Sequence, residues 1–463
     1  MFYESHNVSQ IDPVRVLVPS GALGLNYDKA ALDRAIAVGP DIIAIDGGST
    51  DSGPAYLGRG VSKYSRASTL VEWRGLIEAR ARAGVPLVIG TAGTCGADSA
   101  VDWMFDITAE IARDTGQKLK VAVLKSSQDP GAMAAAFKAG RITPLAGAPQ
   151  VTAEDLKSCA NIVALAGAEQ VAAALNTGAD IIIAGRTTDT AIIAALPLMR
   201  GGHAGAAWHG AKIGECGALC ATNPQSGVVM VEFDGDGFTV VPMAEGALAT
   251  PHTVSAHMLY ENADPFILFE PGGHLNVSDA QYTALDARRV RVSGSRWVPS
   301  DRYTVKLEGA RVAGFQCVLM AILRDRRYVQ NAESWARDIV AKCRAKVIDR
   351  LGLAPEAFEV EIRLIGQSAS FGALETRQSA AVEIGALGIV TAGSEALADE
   401  IGKMLNPYLL HHPLTAEEEQ PTFAFPFSPA ELSRGAIYEF CLNHVLELDD
   451  PMDGFSLEVT EVG

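Results

Sequence analysis

From residue 14 onward, short apolar runs alternate with longer stretches whose apolar positions recur every three or four residues. Parallel strands joined by crossover helices produce this pattern, because a strand covered on both faces reads as an unbroken apolar run. It predicts strands at 14–18, 41–45, 87–89, 120–124, 161–165 and 180–184, and helices at 28–38, 70–83, 100–114 and 168–176. Residues 222–300 break the rhythm with Pro, Gly and Asn and with short alternating strands at 228–233 and 238–242, and they read as a connecting region. Beyond 300 come a strand pair (303–312, 316–323), a helix (332–351), a second strand pair (359–364, 380–390), a helix (395–405) and late strands near 437–446 and 456–460. Paired strands followed by a helix suggest antiparallel α+β layers of ferredoxin-like flavour. The expected fold class is α/β. A mostly parallel sheet with helices on both faces fills 1–295 as the catalytic or ligand-binding domain, and a smaller α+β C-terminal domain fills 296–463.

Composition narrows the classes of function. Lys and Arg total 38 against 55 Asp and Glu, a net charge of −17. Such a surface repels phosphate backbones and anionic lipid, so neither nucleic acid nor a membrane surface is an expected partner, and a small molecule or a protein is. The seven cysteines are scattered, without paired Cys-x-x-Cys units, which fits reduced thiols in a cytosol. The opening Met1-Phe2-Tyr3-Glu4-Ser5-His6 lacks a basic region followed by an apolar stretch, and no apolar run of about 18 residues occurs. A cytoplasmic protein is expected, with a homo-oligomer as the default for an enzyme of this size.

One internal echo gathers the candidate chemistry. Pro40-Asp41-Ile42-Ile43 leads to Gly48-Ser49-Thr50-Asp51, and Ala179-Asp180-Ile181-Ile182 leads to Gly185-Arg186-Thr187-Thr188-Asp189. Both place Gly, hydroxyl and carboxylate groups just past an apolar strand, where open parallel α/β sheets bind ligands; the plain alternative is tight turns and N-caps. Asp46 and Asp51 flank the loop that carries Ser49 and Thr50. Like charges forced close raise one carboxyl pKa and make a general acid or base, and an oxygen-rich loop also suits a divalent cation such as Mg²⁺ or Ca²⁺.

Arg186 either grips a carboxylate or phosphate through its planar fork, with Asp189 as orienting group or base, or belongs to an internal Arg–Asp pair. Gly90-Thr91-Ala92-Gly93-Thr94 either turns N–H donors toward an anion or is a structural turn. The chain has no Gly-x-x-x-x-Gly-Lys-Ser/Thr, and Gly21-x-x-Gly24 is too short for a dinucleotide fingerprint, so no nucleotide cofactor is expected.

Glu215-Cys216-Gly217-Ala218, preceded by His203 and His209, is the most nucleophile-like stretch. A Cys beside His and near a helix N-terminus loses its proton easily, with Glu as base; against this stands Cys as a small hydrophobe. A zinc set of His203, His209, Cys216 and Cys220 lacks standard spacing. His252, His257, Glu270, His274 and His444 are reserve titrating groups.

At these same stretches the sequence resembles the acyclic terpene utilisation (AtuA-like) family. The resembling residues are 41–51, 90–96, Gly185-Arg186-Thr187-Thr188-Asp189, Glu215-Cys216-Gly217-Ala218, Pro242-Met243-Ala244-Glu245, and Leu259-Tyr260-Glu261 with Asp264-Pro265; Arg324-Asp325 and 434–444 extend the likeness. The chain departs from it at Thr190 and Arg326, where the family commonly has Pro, and in the loop 48–54. The resemblance implies catabolism of branched carboxylic acids or their coenzyme A thioesters.

The expectation is a catabolic enzyme that takes a small carboxylate or acyl-CoA and works by acid–base chemistry of hydratase, lyase or isomerase type. Asp46, Asp51, Asp189, Glu215 and Cys216 are its catalytic candidates. Ser49, Thr50, Gly93, Thr94, Arg186 and Thr187 are its substrate-binding candidates. Two rivals stay open: a Cys216-dependent acyl hydrolase or transferase, and a non-catalytic acyl-binding subunit of a catabolic complex with a small partner subunit.

Overall fold

The computed structural model describes residues 12–377 and 381–463. The opening hexapeptide and Ala380, at the head of a predicted strand, lie outside these residues. The chain divides into two compact units: residues up to Arg311 together with Phe440–Gly463, and the intervening Val312–Glu439.

The first unit is built on a ten-stranded sheet. Its centre is parallel, in the order Val14–Val18, Ile42–Asp46, Leu87–Gly90, Ile181–Ala184 and Leu119–Lys125. Successive side chains of a strand point to opposite faces, and these strands are apolar on both. Val16, Ile42, Ala44, Val88, Ala122 and Ile182 enter one core with the helices Ala168–Leu175, Ala191–Met199 and Ala204–Gly214. Their neighbours Leu17, Ile43, Ile45, Ile89, Val121 and Ile183 enter the opposite core with Lys29–Val38, Arg66–Ala83 and Asp98–Thr115. Asp28, Ser65 and Asp129 cap their helices through side-chain oxygens, which explains where those helices start.

Several expected elements fall elsewhere. Residues 222–300 do not merely connect. Val229–Phe233 pairs antiparallel with Val14–Val18, and Gly237–Pro242, Val290–Ser293 and Gln281–Ala284 carry the sheet outward. Their alternation reflects antiparallel ladders, with Val231, Phe233, Phe238 and Val240 turned inward. Asn161–Ala164 leaves the parallel series and pairs antiparallel with Leu307–Ala310. The two strands expected at 303–312 and 316–323 are one strand, Tyr303–Leu323, in which Gly314, at φ +144°, makes no turn. Ser456–Val462 lies on the outer edge of the ten-stranded sheet, antiparallel to Leu119–Lys125.

In the second unit Ile384–Ala392 is flanked by Phe358–Ile365 and by 315–323, both antiparallel to it. The helices Ala332–Leu351 and Glu395–His411 supply Trp335, Ile339, Ile401 and Leu405 to a core shared with Leu319 and Val390. Among the described residues no helix is long and apolar enough to cross a membrane.

Candidate functional site

The parallel strands end at one edge of the sheet, and their next residues bring the candidate groups together. Neighbouring strand ends are laced by backbone bonds: Gly47 N–H to Gly90 O at 2.7 Å, Thr91 N–H to Gly185 O at 2.8 Å, and Gly185 N–H to Leu124 O at 2.7 Å. The close approach requires glycine. A Cβ on Gly96 would stand 2.3 Å from the Arg186 nitrogen, and one on Gly21 3.1 Å from the Cys216 Cα. Thr91 and Thr94 sit at φ +45° and +70°. That is costly for a β-branched residue and marks a loop fixed by its surroundings.

A cavity of about 610 Å³ opens at this edge, lined among others by Asp46, Ser49, Asp51, Asp189, Cys216 and Glu261. Its size suits a small organic ligand. Five of the expected site residues therefore share one wall although they are distant in sequence. Asp46 is 5% exposed and its Oδ1 accepts the Gly47 N–H at 2.8 Å. Burial, reinforced by the Asp189 charge, pushes its carboxyl well above the usual range, with Arg186 and Thr91 pulling the other way. Asp189 is also raised, mainly by burial and against the pull of Arg186 and Lys212.

Arg186 stands behind the cavity and not on its wall. Its fork is taken up by Glu308, with Nε to Oε2 at 3.0 Å and Nη2 to Oε1 at 3.2 Å. Nη1 donates to Thr91 Oγ1 at 3.1 Å and lies 3.6 Å from Asp189 Oδ1. The guanidinium expected to grip a substrate anion thus braces the strand ends instead. Thr50 belongs to the same brace, donating to Glu308 at 3.1 Å. Arg186 holds the Glu308 carboxyl down at about 2, overcoming its burial.

The glycine-rich loop differs from an anion nest. Thr91, Ala92 and Thr94 spend their N–H groups on the carbonyls of Gly185, Ala184 and Thr91. Gly93 O accepts the Thr94 hydroxyl at 2.6 Å, and Thr94 Oγ1 accepts the Lys63 N–H at 3.0 Å. Thr187 is fully buried and its hydroxyl has no partner among the described residues.

Glu215 ends the helix Ala204–Gly214 and is buried in an ion pair with Lys212, one turn back. Burial raises its carboxyl to about 8 in spite of Lys212. Cys216 follows on the cavity wall, past the C-terminus of that helix and at the head of only the short 3-10 turn Gly217–Cys220, and burial together with Glu215 and Asp189 pushes its thiol up. Neither expected histidine activates it. His203 caps its own helix through Nδ1, accepting the Ala206 N–H at 3.1 Å. His209 is locked between Ser295 at 2.7 Å and Tyr282 at 3.2 Å, and burial holds it neutral with a pKa near 3. The histidine beside Glu215 and Cys216 is His257, from the end of the helix Pro251–His257. Glu270 is raised to about 7 by burial, and one of its oxygens takes the Thr190 hydroxyl.

Sequence reasoning passed over Lys212 and Glu308 and left His257 and Glu270 in reserve. A Lys in the helix Ala204–Gly214, which is apolar apart from it and His209, and a lone Glu between Leu307 and Gly309 were the available signals, since charges on buried elements need partners.

A mixed α/β sheet with a carboxylate-lined cavity at the carboxyl ends of its parallel strands defines the class of site. The model of the acyclic terpene utilisation family protein AtuA matches residues 68–425, and the chain belongs to that family. Membership suggests a role in acyclic terpene catabolism. The matched span takes in Asp189, Glu215 and Cys216 and begins after Asp46 and Asp51. No curated protein and no solved structure matches the chain.

Proposed function

We propose that the chain is a catabolic enzyme that moves a proton at the carbon beside the carbonyl of a small acyl thioester, in a hydratase, lyase or isomerase step. The observation that carries this reading is the pair Asp46 and Asp189. Two raised carboxylates face one cavity, the arrangement in which one group keeps a proton that its ionised neighbour would otherwise repel into solution, so that the pair can serve as acid and base. The cavity wall carries Asp46, Asp51, Asp189 and Glu261 and, among the described residues, no Lys or Arg. Such a wall repels a free carboxylate, which favours an uncharged thioester carbonyl at the reacting centre, with the phosphates of the coenzyme A held outside the cavity.

The test is exchange of α-protons for deuterium, followed by mass spectrometry, on a panel of branched and unsaturated acyl-CoA thioesters. Wild type exchanges at least one of them. Asp46→Asn and Asp189→Asn lose about 10²–10⁴-fold, the usual worth of a positioned acid or base. No exchange by wild type, or undiminished exchange by both variants, overturns the reading.

A further inference from the structure

We propose that Glu215, Cys216 and His257 bind a divalent transition-metal ion of the zinc class, with a fourth coordination position open to the cavity. One ligand atom from each lies within 4.8 Å of the other two. Around zinc, with bonds of about 2.0–2.3 Å, tetrahedral ligand atoms stand roughly 3.3–3.7 Å apart, so these three need to close by on the order of 1 Å. His257 is 5% exposed, and its Nε2 has no hydrogen-bond partner among the described residues. A buried imidazole nitrogen without a partner costs free energy unless something occupies it.

The donor set fixes the class of ion. Sulfur, nitrogen and a single carboxylate suit zinc or cobalt(II); Mg²⁺ and Ca²⁺ demand oxygen. The Asp46–Asp51 loop, where sequence suggested such an oxygen site, contributes to no group of three potential ligands among the described residues. Lys212 holds one oxygen of Glu215 and leaves the second for the metal, the kind of outer contact that orients a ligand. Tyr260 stacks on the His257 ring at 5.4 Å between centroids. A thiolate and a carboxylate would offset the charge of the ion. Three protein ligands leave one position vacant, as in zinc enzymes that polarise a carbonyl or a water. Cys216 lines the cavity assigned above to the thioester and so connects the ion to it.

The proposal shares the cavity with the acid–base reading without resting on it, and its test uses no substrate. The full chain, stripped with a chelator, is titrated with Co²⁺ and then with Zn²⁺. One equivalent of Co²⁺ is expected to give a thiolate-to-cobalt charge-transfer absorption, which Zn²⁺ then bleaches. Cys216→Ser abolishes that absorption, His257→Gln weakens uptake at least about tenfold, and His274→Gln changes neither. Asp46→Asn keeps the absorption while losing proton exchange, so the two readings fail separately. Absence of stoichiometric uptake by wild type, or retention of the absorption in Cys216→Ser, overturns the site. Should Cys216→Ser lose its circular-dichroism signature, His257→Gln decides: unchanged affinity refutes the proposal and weakened affinity upholds it.

Discussion

Replacing Glu308 by Gln tests how the strand ends are held. Arg186 and Glu308 are each 7% exposed, and both carboxylate oxygens are engaged, at 3.0 and 3.2 Å. Glu308→Gln keeps the outline of the side chain and one acceptor but leaves the guanidinium buried, with Asp189 at 3.6 Å as its remaining close carboxylate. The magnitude follows from two routes. The carboxyl is held near 2 against an ordinary 4.5, a gap worth about 3 kcal/mol at roughly 1.4 kcal/mol per unit. Breaking one side of a buried pair elsewhere costs about 3–5 kcal/mol. A loss of about 3–4 kcal/mol at pH 7 is expected.

The sign of the pH dependence is also fixed. Because the folded-state pKa is depressed, the wild-type advantage is complete above about 4.5 and is lost as pH falls toward about 2. Urea unfolding followed by tryptophan fluorescence measures it, since Trp73, Trp103, Trp208 and Trp297 all lie in the unit that holds the pair. A loss under about 1 kcal/mol, typical of exposed pairs, or a difference that does not shrink in acid, would refute the reasoning. The double variant Arg186→Met/Glu308→Leu should recover part of the loss, because it removes both charges from the interior.

Two further outcomes are expected. Gly96→Ala should lower the stability of the first unit by at least about 2 kcal/mol, since its Cβ would meet the Arg186 nitrogen at 2.3 Å; Gly140→Ala, at φ +75° with open space around it, should cost only about 1–2 kcal/mol in the same urea titration. For Glu270 the folded pKa is raised, so its contribution is present below about 4.5 and lost as pH rises through about 7. Glu270→Gln should therefore flatten the stability profile by on the order of 3 kcal/mol across that window, and a profile parallel to wild type would contradict it.

The central strands were legible because parallel strands covered on both sides are apolar along most of their length, and 16–18, 42–45, 87–89 and 181–184 are unbroken apolar runs. The loops that follow them were legible for the same reason: polar and Gly-rich residues after such a run fall at the ligand-binding edge. Pairing partners were not legible. Asn161–Ala164 is as apolar as its neighbours, and nothing local says that it pairs with Leu307–Ala310. Residues 313–315 read as a gap between two strands, yet one strand runs through them. The fate of Arg186 depended on Glu308, a partner 122 residues away that periodicity does not flag. His257 looked like any structural histidine until tertiary packing set it beside Cys216.

The strand Ser456–Val462 closes an edge whose other member, Leu119–Lys125, is synthesised far earlier. During translation that earlier strand must wait, its backbone groups unpaired on one side, while the whole of Val312–Glu439 is made. A nascent chain in this interval exposes a sticky flank suited to pairing with a neighbouring copy, so yield in cells should depend on how soon Ser456–Val462 is added and docks.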